Sequence, residues 1–167
     1  MATVAEIAED IFRINVEIPG RALTYSFFVV RDERPALIAT GFSGTFGDTV
    51  EAVRRVVDPT TLRHLVVPHL EGDESGALNR FLDVAPGAEA VVSPIGMITA
   101  SDYASRPPRP VEDGETLELG GHRLRFLTTP YVHSGTACWP STRRHGRSSR
   151  PTSSSRAAPV RRSPTPT

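Results

Sequence analysis

The chain of 167 residues has no lysine and a single cysteine, Cys138. One thiol excludes an intrachain disulfide and fits a reducing compartment, so the chain reads as cytoplasmic. No apolar run approaches the length a membrane-spanning helix needs. The first residues carry Glu6, Glu9 and Asp10 without a long apolar stretch, so no signal peptide is expected. Acidic residues are absent after Glu118. The formal net charge of zero therefore hides two unlike parts. Residues 1–134 hold twelve arginines and all nineteen acids, a net −7, and residues 135–167 hold seven arginines and no acid, a net +7. Alanine, arginine and proline are plentiful, as in the products of a GC-rich genome. The length suffices for one domain with its own core.

Within residues 1–134 the pattern is that of an α/β or α+β domain with a mixed sheet. Ile11–Val16 alternates apolar and polar residues, as a half-buried strand does. Pro19-Gly20 makes a turn, and Tyr25–Val30 and Ala36–Ala39 are strands joined by Asp32-Glu33-Arg34. Phe46, Val50, Val53 and Val57 fall at helical spacing, and Asp58-Pro59 ends that helix. Leu65–Val67 is a short buried strand. Ser75 is placed to cap a helix carrying Leu78, Phe81, Leu82 and Val84, which Pro86-Gly87 ends. Ala90–Val92 is a strand, Ile95–Tyr103 a helix, and Arg106–Pro110 an extended linker. Thr116–Leu119 and His122–Leu127 flank Gly120-Gly121, a hairpin signal. From Gly135 onward the chain is mostly Arg, Ser, Pro and Thr. After Trp139 its only large apolar residue is Val160, so a disordered tail over 135–167 is expected.

The chemistry concentrates in Pro68-His69-Leu70-Glu71-Gly72-Asp73-Glu74. An imidazole and carboxylates at alternate positions after a strand can converge on one point. His69 supplies nitrogen, and Glu71 and Asp73 supply hard oxygen. Such a mixed set favours iron or manganese, with zinc also admitted. His133, at the next strand-to-loop junction, is a further candidate ligand. Carboxylates also favour helix N-termini for electrostatic reasons alone, and Glu74 reads as such a first-turn residue. His64 and His122 read as ordinary surface or strand residues, and His145 as an inert tail residue.

His69-Leu70-Glu71-Gly72-Asp73-Glu74-Ser75-Gly76-Ala77-Leu78 resembles the His-x-Glu-x-Asp-His-Ser-Gly-Ala signature of the flavodiiron-type branch of the metallo-β-lactamase superfamily. The resemblance covers residues 1–134. Thr40-Gly41-Phe42 and Thr129-Pro130-Tyr131-Val132-His133 are similar to two further family segments. It implies an αββα sandwich, of which the N-terminal part is present, with a dinuclear metal site at one edge of the two sheets. His69, Glu71 and His133 would hold the first metal, and Asp73 the second. Four positions depart from the family. Glu74 stands where a His is usual, Ala39 stands where an Asp is usual, and the bridging Asp and final His have no counterpart. No flavodoxin domain, and so no flavin site, is evident.

The tail also suggests a shift of reading frame. Taking the third base of each codon with the first two of the next, Cys138-Trp139 forces Leu and Trp139-Pro140 forces Ala. TCN serine codons become NTC codons for Phe, Leu, Ile or Val. The shifted frame permits Met-Leu-Ala-Phe-Asp-Glu-Thr-Thr from Ala137 onward. It later permits Ser-Asp-Leu-Phe, whose Asp spans Pro151 and Thr152. That reading is similar to the family's next hairpin and bridging Asp.

Three functional classes follow. By resemblance, the chain derives from a metal-dependent hydrolase or an oxygen- or nitric-oxide-reducing diiron oxidoreductase, impaired here by truncation. A small-molecule substrate or an electron-donor protein is then the expected partner, and a homodimer is compatible with this reading. Alternatively, the basic tail makes a binding module with salt-dependent affinity for nucleic acid, although no aromatic residue follows Trp139 to stack on bases. The third class is an inactive fragment with one sheet face bare.

Overall fold

The computed structural model describes residues 1–129 and 138–144. A seven-stranded mixed sheet runs in the order β1 (Ala2–Ala8), β2 (Ile11–Glu17), β3 (Thr24–Val30), β4 (Ala36–Ile38), β5 (His64–Val66), β6 (Glu89–Val92) and β7 (Arg109–Pro110). A three-stranded sheet has the order β10 (Cys138–Arg144), β9 (His122–Thr128) and β8 (Thr116–Glu118). The helices are α1 (Phe46–Arg54), α2 (Gly72–Ser75), α3 (Leu78–Val84) and α4 (Pro94–Tyr103).

The first four strands pair antiparallel, and β4, β5, β6 and β7 pair parallel. In β2, Phe12, Ile14 and Val16 are buried while Arg13 and Glu17 are exposed, which is the period-2 pattern of one covered face. The parallel strands are covered on both faces and so read as nearly continuous apolar runs. Their side chains divide between two cores. Leu37, Leu65, Ala90 and Val92 join Val50, Val53, Phe81 and Leu82 of the helices. Ala36, Ile38, Val66 and Val91 join Leu117, Leu119, Leu124 and Phe126 of the second sheet. The described residues thus form three layers: helices, large sheet, small sheet.

Several local expectations change. β1 is an additional strand, and a register irregularity between Glu6 and Ala8 breaks the alternation that would have marked it. α1 stops at Arg54, and the N–H groups of Val56 and Val57 turn back onto the Val53 carbonyl at 2.9 Å. Ser75 does not cap the following helix. It ends α2 and donates its hydroxyl to the Glu71 carbonyl at 2.9 Å, and α3 begins without a side-chain cap. Ser93 does cap a helix, accepting the Gly96 N–H at 3.0 Å ahead of α4.

The stretch from Gly135 was expected to be without structure, yet Cys138–Arg144 is a strand in unbroken register with β9. Backbone pairing to an open sheet edge needs no apolar alternation, which is why composition did not mark it. Pro140 is compatible because β10 is an edge strand. The remainder of the expected tail, residues 145–167, lies outside the described residues.

Candidate metal centre

The motif loop follows β5 and is held against the loop that follows β4. Ala39, at the end of β4, has φ 63°, and its N–H donates to the Val66 carbonyl at 2.9 Å. Its left-handed turn points Thr40 toward α2. The Thr40 N–H and hydroxyl both donate to the Glu74 carbonyl, at 2.7 and 2.9 Å. The Ala77 N–H donates to the Gly41 carbonyl at 2.9 Å. This approach explains the glycine of the Ser-Gly-Ala segment. A Cβ on Gly76 would lie 2.4 Å from the Gly72 carbonyl oxygen and 3.1 Å from the Ser43 nitrogen.

At the centre of this interlocked pair of loops sits His69, with its side chain only 3% exposed. Its Nε2 lies 3.2 Å from Glu71 Oε1, and its Nδ1 lies 2.6 Å from Glu74 Oε2. The same Glu74 oxygen accepts the His69 backbone N–H at 3.0 Å. Glu71 is 53% exposed and Glu74 16%. Burial disfavours the imidazolium. The hydrogen bond and charge of Glu74, then those of Glu71, outweigh that penalty and raise the His69 pKa.

Two donors bound to one metal at about 2.1 Å each, separated by 90–110°, stand about 3.0–3.4 Å apart. The His69 Nε2 and Glu71 Oε1 spacing of 3.2 Å fits one edge of such a coordination sphere. Asp73 lies half-buried in the first turn of α2. His133 lies outside the described residues. Among the described residues no group of three or more His, Cys, Asp or Glu side chains could hold a metal ion. The described residues therefore offer a donor pair and do not complete a centre.

Glu74 has more than the helix-terminal role its position suggested, because its carboxylate holds His69. His64 and His122 are buried strand residues. His64 Nδ1 lies 3.1 Å from Glu89 Oε1. His122 Nδ1 lies 2.7 Å from Asp32 Oδ2, at the opposite end of the parallel strands from His69. Sequence patterning missed the Asp32 and His122 pair, since 90 residues separate them.

The family model for ODP family beta lactamase matches residues 23–140, which include both interlocked loops. The chain belongs to the ODP beta-lactamase family. This ODP-family chain is 35% identical over 123 residues to diflavin flavoprotein A 1 of Thermosynechococcus vestitus, covering 71% of this chain and 20% of that protein. It is 30% identical over 122 residues to the rubredoxin-oxygen oxidoreductase of Megalodesulfovibrio gigas, covering 71% of this chain and 29% of the relative. Among solved structures, a flavo di-iron protein of Thermotoga maritima, a point mutant, superposes with a TM-score of 0.77 at 22% identity. That superposition covers 85% of this chain and 40% of the other. It shows the shared fold, a metallo-β-lactamase-like domain. The ODP-family chain spans between a fifth and two fifths of the length of these relatives.

Proposed function

We propose that residues 1–134 are the N-terminal part of a flavodiiron-type metal-binding domain, and that His69, Glu71, Asp73 and His133 are its metal-holding residues. The observation that carries this reading is the His69 Nε2 and Glu71 Oε1 pair, 3.2 Å apart at the end of a parallel strand. Iron suits the nitrogen and carboxylate set, and manganese or zinc is admitted by the same donors. The parent activity is reduction of oxygen or nitric oxide with electrons from a donor protein. The rubredoxin-oxygen oxidoreductase relative supports that reading by its name. Metal-dependent hydrolysis of a small molecule is the alternative, and the oxidoreductase name of the Megalodesulfovibrio gigas relative weighs against it. Cytoplasmic residence agrees with the single cysteine, and no helix among the described residues is long and apolar enough to cross a membrane.

In this chain the activity is impaired. Residues 134–167 hold no carboxylate, so they supply no bridging Asp after His133. Elemental analysis of the purified chain after loading with ferrous iron is the test. Fewer than two metals per chain, with little oxygen or nitric oxide consumption, is the expected result. A full dinuclear stoichiometry would refute the impairment, and no metal at all would refute the site.

A shift of reading frame near codons 134–140 accounts for the missing carboxylate. The position of β10 supports it. The backbone there continues the small sheet, where the shifted reading forces Leu-Ala and permits Phe next. Sequencing the coding DNA decides the matter, and an intact frame with no family-like alternative would remove the idea.

A further inference from the structure

We propose that the solvent-facing side of the small sheet binds a small phosphomonoester, with its phosphoryl group held between the guanidinium groups of Arg125 and Arg143 and its organic part on Leu127. The inference concerns the chain as it stands. It rests neither on the metal reading nor on a shift of reading frame.

The register of the small sheet builds the site. Leu124 and Phe126 of β9 enter the core between the sheets, so Arg123, Arg125 and Leu127 face the other way. Thr116 of β8 and Ser141 of β10 stand directly opposite Arg125. Glu118 of β8 and Arg143 of β10 stand directly opposite Arg123. The threonine, the serine, the three arginines and Leu127 line an open cleft of about 540 Å³. That size suits a small molecule.

The charges of the cleft are unbalanced. Arg123 has a partner in Glu118, whose Oε1 lies 2.5 Å from Nε. Arg125 and Arg143 are exposed and have no ion pair among the described residues. Like charges directly opposite one another on adjacent strands are destabilising, as Arg123 and Arg143 are, and an anion in the cleft offsets that repulsion. Arg125 and Arg143 are diagonal neighbours. Such positions are about 7–8 Å apart, within reach for long side chains to converge on one group.

Two guanidinium forks and two hydroxyls make a donor set for the oxygens of one phosphoryl group. The two uncompensated charges match the dianion that a phosphomonoester carries above its second pKa of about 6. A nucleic-acid phosphate carries a single charge, and no aromatic ring lines the cleft among the described residues to stack on a base. Leu127, 42% exposed, supplies apolar surface beside the arginines.

The test titrates the full chain at constant ionic strength and mildly alkaline pH, following backbone amides by ¹H–¹⁵N NMR. The probes are inorganic phosphate, phenyl phosphate and single-stranded oligothymidylate. Saturable shifts in β8, β9 and β10 are expected with both phosphates. Phenyl phosphate should bind the tighter, and Leu127→Ser should abolish that preference. Arg125→Ala or Arg143→Ala should weaken phenyl phosphate binding about tenfold or more. Arg31→Ala, whose guanidinium pairs with Asp10, should leave it unchanged. Arg125→Gln and Arg143→Gln carry the same expectation should an alanine form not fold. The absence of saturable shifts, or an affinity that the Arg125 and Arg143 variants leave intact, overturns the proposal. Phenyl phosphate binding no tighter than inorganic phosphate makes the cleft a free-phosphate site. Oligothymidylate binding tighter than either, at equal phosphate concentration, makes it a nucleic-acid surface. Each of these results also overturns it.

Discussion

Asp32 joins the two sheets through His122. Its carboxylate accepts the His122 backbone N–H at 2.6 Å, the Gly121 N–H at 2.9 Å and faces the His122 ring Nδ1 at 2.7 Å. The His122 Nε2 in turn lies 3.2 Å from the Glu9 carbonyl. Beside this latch the Arg34 N–H donates to the Leu119 carbonyl at 2.9 Å, so the connection between β3 and β4 is fastened to the hairpin of β8 and β9.

Replacing Asp32 by Ala leaves those buried donors without an acceptor. A loss of about 3–5 kcal/mol is expected, read from urea unfolding followed by circular dichroism. Burial opposes the charged form of Asp32, but the hydrogen bonds from Gly121, Glu33 and His122 prevail and lower its pKa. With a lowered folded value, its stabilisation is complete above the unfolded carboxylate pKa of about 3.9 and is lost as pH falls through the folded value. Asp32→Asn should remove that acid-sensitive component while costing less than Ala.

His64 has the opposite demand on charge. It is 1% exposed, and burial is the main cause that lowers its pKa. Glu89 opposes this, while Arg34 and Arg109 add to it. The fold therefore favours the neutral ring. Its contribution is present above the unfolded histidine value of about 6.5 and is lost as pH falls from there to the lowered folded value. The difference in unfolding free energy between the unchanged chain and His64→Leu should fall as pH drops through that window. A pH-independent difference would show that the ring does not titrate against folding.

Ala39 has φ 63°, a region in which a Cβ costs roughly 1–2 kcal/mol. Glycine removes that cost but loses a buried methyl group and gains freedom in the unfolded chain. The expected net effect of Ala39→Gly is a stabilisation of about 0.5 kcal/mol, and Ala39→Val should destabilise by well over 1 kcal/mol. Urea midpoints of the two variants, compared at equal slope, check the order.

The strands and helices that cover one face were readable because each keeps one period, as Phe12, Ile14 and Val16 do in β2. β1 and β10 were not, because a bulge interrupts one and backbone pairing alone defines the other. The closeness of His69 and Glu71 was readable because their spacing follows the strand end. The hold of Glu74 on His69 was not, since it depends on a one-turn helix that folds residue 74 back over residue 69. Ser75 misled because a serine before an apolar helical run looks like a cap, whereas its hydroxyl bonds within the preceding turn.

The parallel strands β4, β5 and β6 send alternate side chains into two separate cores, and that arrangement bears on how the chain would fail. Loss of the small sheet would uncover Ala36, Ile38, Val66 and Val91 while leaving the helix-facing Leu37, Leu65, Ala90 and Val92 packed. Partial unfolding from that side would create a sticky, strand-lined surface before the loops around His69 come apart. Self-association under mild denaturation is then a separate event from loss of the geometry around His69. A dye that reports exposed apolar surface and a probe placed beside His69 would respond at different denaturant concentrations.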